Sequence, residues 1–138
     1  MKKAILSLIV LLFLSQVSAF AVSSAYYRDN PLRLKQGETF DFYMVLQNSA
    51  GSDTDTLKAN ILSGSEVLEI TDSSKIYSVP AGEKTKVNLR ANIPTDAKIG
   101  RVYPISLELI TVSEGKSGEF GFGSAIGQNF EIVVTRAD

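Results

Sequence analysis

Fifteen carboxylates, with no histidine and no cysteine, define the chemistry open to this chain of 138 residues. It therefore lacks the commonest general base, the commonest metal ligand and the thiol nucleophile. Serines are plentiful, but none sits in a nucleophile-elbow motif. A pair of carboxylates alone can run glycoside hydrolysis. Here, however, the acids fall mostly in turns or at outward positions of alternating segments, where solvated charge is the default. Gly51-Ser52-Asp53-Thr54-Asp55 holds the only acidic pair at metal-like spacing. Calcium takes about six to eight oxygens, and two carboxylates leave it short unless the fold gathers Glu66, Glu69 and Asp72 nearby. The expectation is a solvated turn and a non-enzymatic protein, with no catalytic residue, metal or cofactor assigned.

The segment EGKSGEFGFGSAIG, Glu114 to Gly127, suggests contact chemistry instead. Gly115 to Gly118 read as a hairpin tip, and Phe120 and Phe122 share parity with Ile126, Phe130, Ile132 and Val134. One reading starts the last strand near Glu119, bulges it at a glycine and tucks both rings into the end of the core. The other makes Phe120 and Phe122 an exposed aromatic finger and the candidate partner contact. Burying two phenylalanines yields about 3–6 kcal/mol, against an association cost of at least about 4 kcal/mol. Such a tip needs a broader surface around it to hold a partner.

The elements that would position these residues read as strands. Phe40, Phe42, Met44 and Leu46 alternate with polar neighbours. So do Val87, Leu89, Ala91 and Ile93, then Tyr103, Ile105, Leu107 and Leu109, then Phe130, Ile132 and Val134. This period of two turns one side of each strand to a core and the other to water. Shorter segments at Leu32–Leu34, Thr56–Ser63, Val67–Ile70 and Lys75–Val79 fill the gaps, separated by turn-forming clusters. Pro31 suits an edge strand at Leu32, since proline cannot donate to a ladder. Short strands punctuated by turns predict a sandwich or barrel. Asp41 and Tyr43 are expected across from Lys86, Asn88 and Arg90 if their strands pair.

Residues 1–19 differ from the rest. Lys2 and Lys3 precede an uncharged apolar run, Ala4 to Leu14, and Val17-Ser18-Ala19 offers small residues for cleavage. The expectation is a cleaved export signal, with an uncleaved anchor reaching Val22 as the alternative. Removing 1–19 leaves twelve bases against fifteen acids, a net charge near −3. No basic stripe marks a nucleic-acid binder, and the absence of cysteine rules out a disulfide framework. Membrane contact is expected only through the signal segment.

Between Ile93 and Tyr103 the chain turns a corner. Pro94 stops a strand, Thr95-Asp96-Ala97 suits a single helical turn, and Gly100 permits a reversal. Tyr103 at such a corner is expected to reach its hydroxyl back to the upstream backbone. Together, VPAGEKTKVNLRANIPTDAKIGRVYPISLEL (79–109) resembles the late-strand pattern of immunoglobulin-like accessory domains of prokaryotic secreted and cell-surface proteins. Leu32-Arg33-Leu34-Lys35-Gln36-Gly37-Glu38-Thr39 with Gln47-Asn48 is similar to the same family's early segment. The chain is expected to depart from that pattern by standing alone, with no catalytic partner domain, and departs from it in its long glycine-rich final hairpin.

The resemblance implies an all-β, immunoglobulin-like antiparallel β-sandwich of about seven strands over residues 32–138. An N-terminal segment, 20–31, would link it to the signal-peptide helix. Pro94, Gly100 and Tyr103 would be its structural corner. The implied role is an exported, extracellular or envelope-associated domain contacting other surface proteins in a surface layer or adhesive assembly. Two alternatives stay open: an envelope carbohydrate-binding module, although the chain has no tryptophan, and a filament subunit whose segment Phe20 to Asn30 adds a strand to a neighbour.

Overall fold

The computed structural model describes residues 2–3, 20–49, 53–114 and 120–137, without the side chains of 113, 114 and 120–124. The expected signal segment, apart from Lys2 and Lys3, lies outside the described residues. Among the described residues, no helix is long and apolar enough to cross a membrane.

Alternation becomes nine strands: β1 (Phe20–Ser23), β2 (Leu32–Lys35), β3 (Thr39–Asn48), β4 (Asp55–Ser63), β5 (Leu68–Ile70), β6 (Ile76–Val79), β7 (Lys84–Asn92), β8 (Val102–Glu114) and β9 (Phe120–Thr135). They form two sheets, ordered β1-β3-β7-β5 and β2-β9-β8-β4-β6. The fold is an immunoglobulin-like sandwich with two more strands than the resemblance implies. One reason is that the chain ahead of Thr39 gives a strand to each sheet: β1 pairs antiparallel with β3, and β2 pairs with β9. The second pairing is parallel, the one exception to an otherwise antiparallel architecture.

Inward positions of both sheets fill one core. Met44, Leu46, Val87, Leu89 and Ala91 from one sheet meet Leu57, Ala59, Ile105, Leu107, Leu109 and Ile132 from the other, all nearly inaccessible to water. The inward sets predicted for β7 and β8 are all buried. Phe40 and Phe42, predicted core residues of β3, are only half-buried and pack against the edge of the core.

Two connections tie the layers. Asp72, between β5 and β6, accepts hydrogen bonds from the Tyr77 hydroxyl at 2.7 Å and from the Asn88 backbone and side-chain nitrogens at 2.9 Å each. Burial raises the Asp72 pKa, but the bonds from Asn88 and Tyr77 outweigh it and hold the carboxyl below its usual range. Burial, the Asp72 hydrogen bond and its charge push the Tyr77 hydroxyl well above the usual phenol value. At the other end, the fully buried Asn48 side chain donates to the carbonyls of Asp53 (2.8 Å) and Val79 (2.9 Å).

Candidate functional site

The structure disperses the residues that could have done chemistry. Asp53 is exposed, and Asp55 opens β4 opposite Val79. Glu69 stands opposite Arg90, and the Asp72 carboxylate is occupied by Tyr77 and Asn88. Among the described residues, no three metal-ligating side chains come together. Residues 50–52 of the acidic loop lie outside the described residues.

The corner holds differently from its prediction. Tyr103 is buried, 5% exposed, yet its hydroxyl makes no hydrogen bond to the upstream backbone among the described residues. Backbone bonds close the corner instead: Ala97 N donates to Pro94 O (3.2 Å), Gly100 N to Val134 O (2.8 Å) and Val134 N to Arg101 O (2.9 Å). The Gln36 amide adds a 2.6 Å bond to Ala97 O. Gly100 takes φ +86°, the left-handed region that glycine enters without strain. With the backbone self-satisfied, Tyr103 contributes its ring, and the Arg101 guanidinium lies 4.6 Å above that ring.

The polar face of β3 and β7 forms in the predicted register, Asp41 opposite Arg90 and Tyr43 opposite Asn88. Arg90 donates to Asp41 at 2.7 and 3.2 Å, which lowers the Asp41 pKa and raises that of Arg90. Lys86 covers the Tyr43 ring at 4.4 Å. Asp41, Tyr43, Thr71, Asn88 and Arg90 surround a shallow recess of about 270 Å³.

Phe120 and Phe122 lie in β9, opposite Glu114 and Val112; their side chains are outside the described residues. The β8–β9 register shifts between Ile110 and Val112, where two steps on β8 match three on β9. Parity counted back from Phe130 to Phe122 is therefore interrupted at this bulge.

One flank among the described residues is open in a way that alternation alone does not reveal. β1 covers β3 only over Val45–Asn48, and β2 covers β9 only over Ile132–Thr135. Between them the chain crosses from one sheet to the other through Tyr26, whose carbonyl accepts from the Gln128 amide at 3.4 Å. The Tyr26 ring meets Phe42 edge-on at 5.5 Å and Phe130 at 6.2 Å. Among the described residues, two half-edges are left uncovered on this flank: β3 from Thr39 to Met44 and β9 upstream of Ile132. The sequence signal for the crossing is the loss of alternation after Ser23 together with Pro31, which marks a fresh edge strand.

No protein-family model matches this chain, and no curated protein matches its sequence. Solved structures share its fold. A family 123 glycoside hydrolase from Clostridium perfringens is similar with a TM-score of 0.58 and 10% identity, over 86% of this chain and 28% of that one. The PapD-like domain 7 of human CEP192 gives a TM-score of 0.53 and 10% identity, over 89% and 88%. The periplasmic chaperone SfaE gives 0.51 and 12%, over 87% and 59%. The chain thus spans less than a third of the hydrolase and somewhat over half of the chaperone. At these identities the likeness shows the fold alone, an immunoglobulin-like β-sandwich.

Proposed function

We propose that this protein is an exported, non-enzymatic binding domain that works through protein–protein contacts at the cell surface or in the envelope. The observation that carries this reading is the uncovered flank, where two lengths of sheet edge stand open beside half-buried aromatic side chains. Unpaired edges are templates for pairing with another chain. The dispersed carboxylates and the lack of histidine and cysteine agree with a role in contact rather than turnover. Structural likeness to a periplasmic chaperone supports placement outside the cytoplasm.

Crosslinking on intact cells of the host, with mass spectrometry of the mature N-terminus, tests this directly. The expected result is a chain starting at Phe20, recovered outside the cytoplasm and joined to an envelope protein. A cytoplasmic chain retaining Met1 would remove the reading.

A second reading, recognition of envelope polysaccharide, draws on the recess beside Tyr43, where Asn88, Thr71 and the Asp41–Arg90 pair surround an aromatic ring. Its test is binding to purified envelope glycans that Tyr43→Ala abolishes. The filament reading loses ground, because Phe20–Ser23 pairs with β3 of its own domain.

A further inference from the structure

The hydrogen bonds at the foot of β9 assign the direction of every backbone group above them. Val134 N donates to Arg101 O on the β8 side, while Thr135 O accepts from Gln36 N on the β2 side. Backbone groups alternate sides along a strand, so even-numbered residues of β9 face β8 and odd-numbered ones face outward. The β8–β9 register runs unbroken from Val102↔Val133 up to Ile110↔Ala125, so the assignment holds through that range. Ala125, Gly127 and Asn129 therefore turn their N–H and C=O groups away from β8, above the point where β2 stops. No hydrogen bond among the described residues reaches them, and all three residues are exposed.

We propose that this upper half of β9 is a docking edge for an extended segment of a partner protein, apolar and basic at alternate positions, laid in the line of β2. The inference rests on the protein-contact reading above and names its partner's chemistry. β2 shows what this edge accepts. Its sequence Leu32-Arg33-Leu34-Lys35 buries both leucines and exposes Arg33 and Lys35.

Both halves of that alternation have a counterpart higher up. On the inner side, Phe20 and Val22 of β1 and Ile126 of β9 are only half-buried, so inward apolar side chains of an added strand would cover them. On the outer side, exposed Glu131 lies two residues along β9 from Asn129 on the same face, and opposite charges across neighbouring strands favour pairing. The same carboxylate argues against a second copy as occupant, since two β9 edges meeting would bring like charges together.

The probe is a synthetic peptide repeating Leu-Arg-Leu-Lys twice, titrated into the purified protein while backbone amide resonances are followed. The Gly127 and Asn129 amides are expected to shift, ahead of those in β5 and β6. Methylating alternate peptide nitrogens should weaken binding at least about tenfold, a loss near 1.4 kcal/mol. Gly127→Pro should abolish it while leaving the melting temperature nearly unchanged. Its lost N–H faces outward, where an edge strand tolerates proline, and a Cβ there meets only Leu107 O at 4.0 Å. Asn129→Pro repeats the test at the next outward position.

The proposal is overturned if no amide shifts up to about 1 mM peptide, or if N-methylated or order-scrambled peptides bind equally well. A photo-crosslinker at Asn129, in the host, separates this failure from that of the broader reading. A partner captured from other surfaces but never from Asn129 removes the edge and keeps protein contact. No capture from any surface removes both.

Discussion

The two uncovered half-edges sit on one flank of the sandwich, yet they are not equivalent. On β3, Ile93 N donates to Glu38 O, which places the outward backbone groups at Asp41 and Tyr43. Beside those groups stand the charged Asp41–Arg90 pair and a Tyr43 ring under Lys86. The space on the inner side is already filled by Phe40 stacked on Phe42 at 5.9 Å and by Tyr26. On β9 the outward residues are alanine, glycine and asparagine, and the inner side still exposes apolar surface of β1. Charge and bulk at an edge discourage added strands. One half-edge is guarded and the other is bare, so an open edge is not by itself a binding edge.

The largest effect that can break this contrast comes from prolines placed on opposite sides of β9. Gln128→Pro removes a donor to β8 and should cost about 3 kcal/mol or more, whereas Asn129→Pro removes only an outward donor. Equal losses of stability in chemical denaturation would show that the even and odd assignments are wrong.

Next is the plug between the half-edges. Tyr26→Ala withdraws a half-buried ring from Phe42 and Phe130 and should cost about 1–2 kcal/mol. The cost should be accompanied by faster hydrogen exchange at β1 and β2 than at β7. Uniform acceleration across the molecule would mean that the flank has no separate looseness.

The opposite flank offers a control, because Asp72 ties it shut. Asp72→Asn should cost about 1–3 kcal/mol by weakening the bonds from Tyr77 and Asn88, without changing binding at β9. The Asp72 pKa is lower folded than unfolded. Its contribution is therefore fully present above the unfolded value of about 3.9 and is lost as pH falls through the folded value. An acid-unfolding curve of the variant should be flatter than that of the parent below about pH 4.

The smallest effect is expected at Asp41→Asn. Its exposed pair with Arg90 should leave stability unchanged in moderate salt, where such charges are screened. If this substitution instead opens the β3 edge to the basic peptide, the guarding role of the pair is confirmed.

Much of this scaffold was legible in the sequence. Alternation located the inward faces of β7, β8 and the foot of β9, and the pairing of Asp41 with Arg90 followed from placing β3 beside β7. Local pattern failed where pairing stops rather than where it starts. Nothing in Gly127 or Asn129 says that β2 ends at Ile132, because the extent of a ladder depends on a strand about a hundred residues away in sequence. The start of β9 near Glu119 and its bulge at a glycine were also legible, since the register shifts between Phe122 and Ala125, around Gly123. Tyr103 misled for another reason: its corner resembles one closed by a hydroxyl, but Gly100, Arg101 and Val134 satisfy one another first.

The parallel pairing of β2 with β9 also has a mechanical meaning. Parallel neighbours send the start of one strand and the end of the other out at opposite ends of their shared ladder. Tension between the two ends of the domain would load the β2–β9 bonds side by side, in shear, so that they must give way together. A domain wired this way resists being stretched far better than the four residues of β2 suggest.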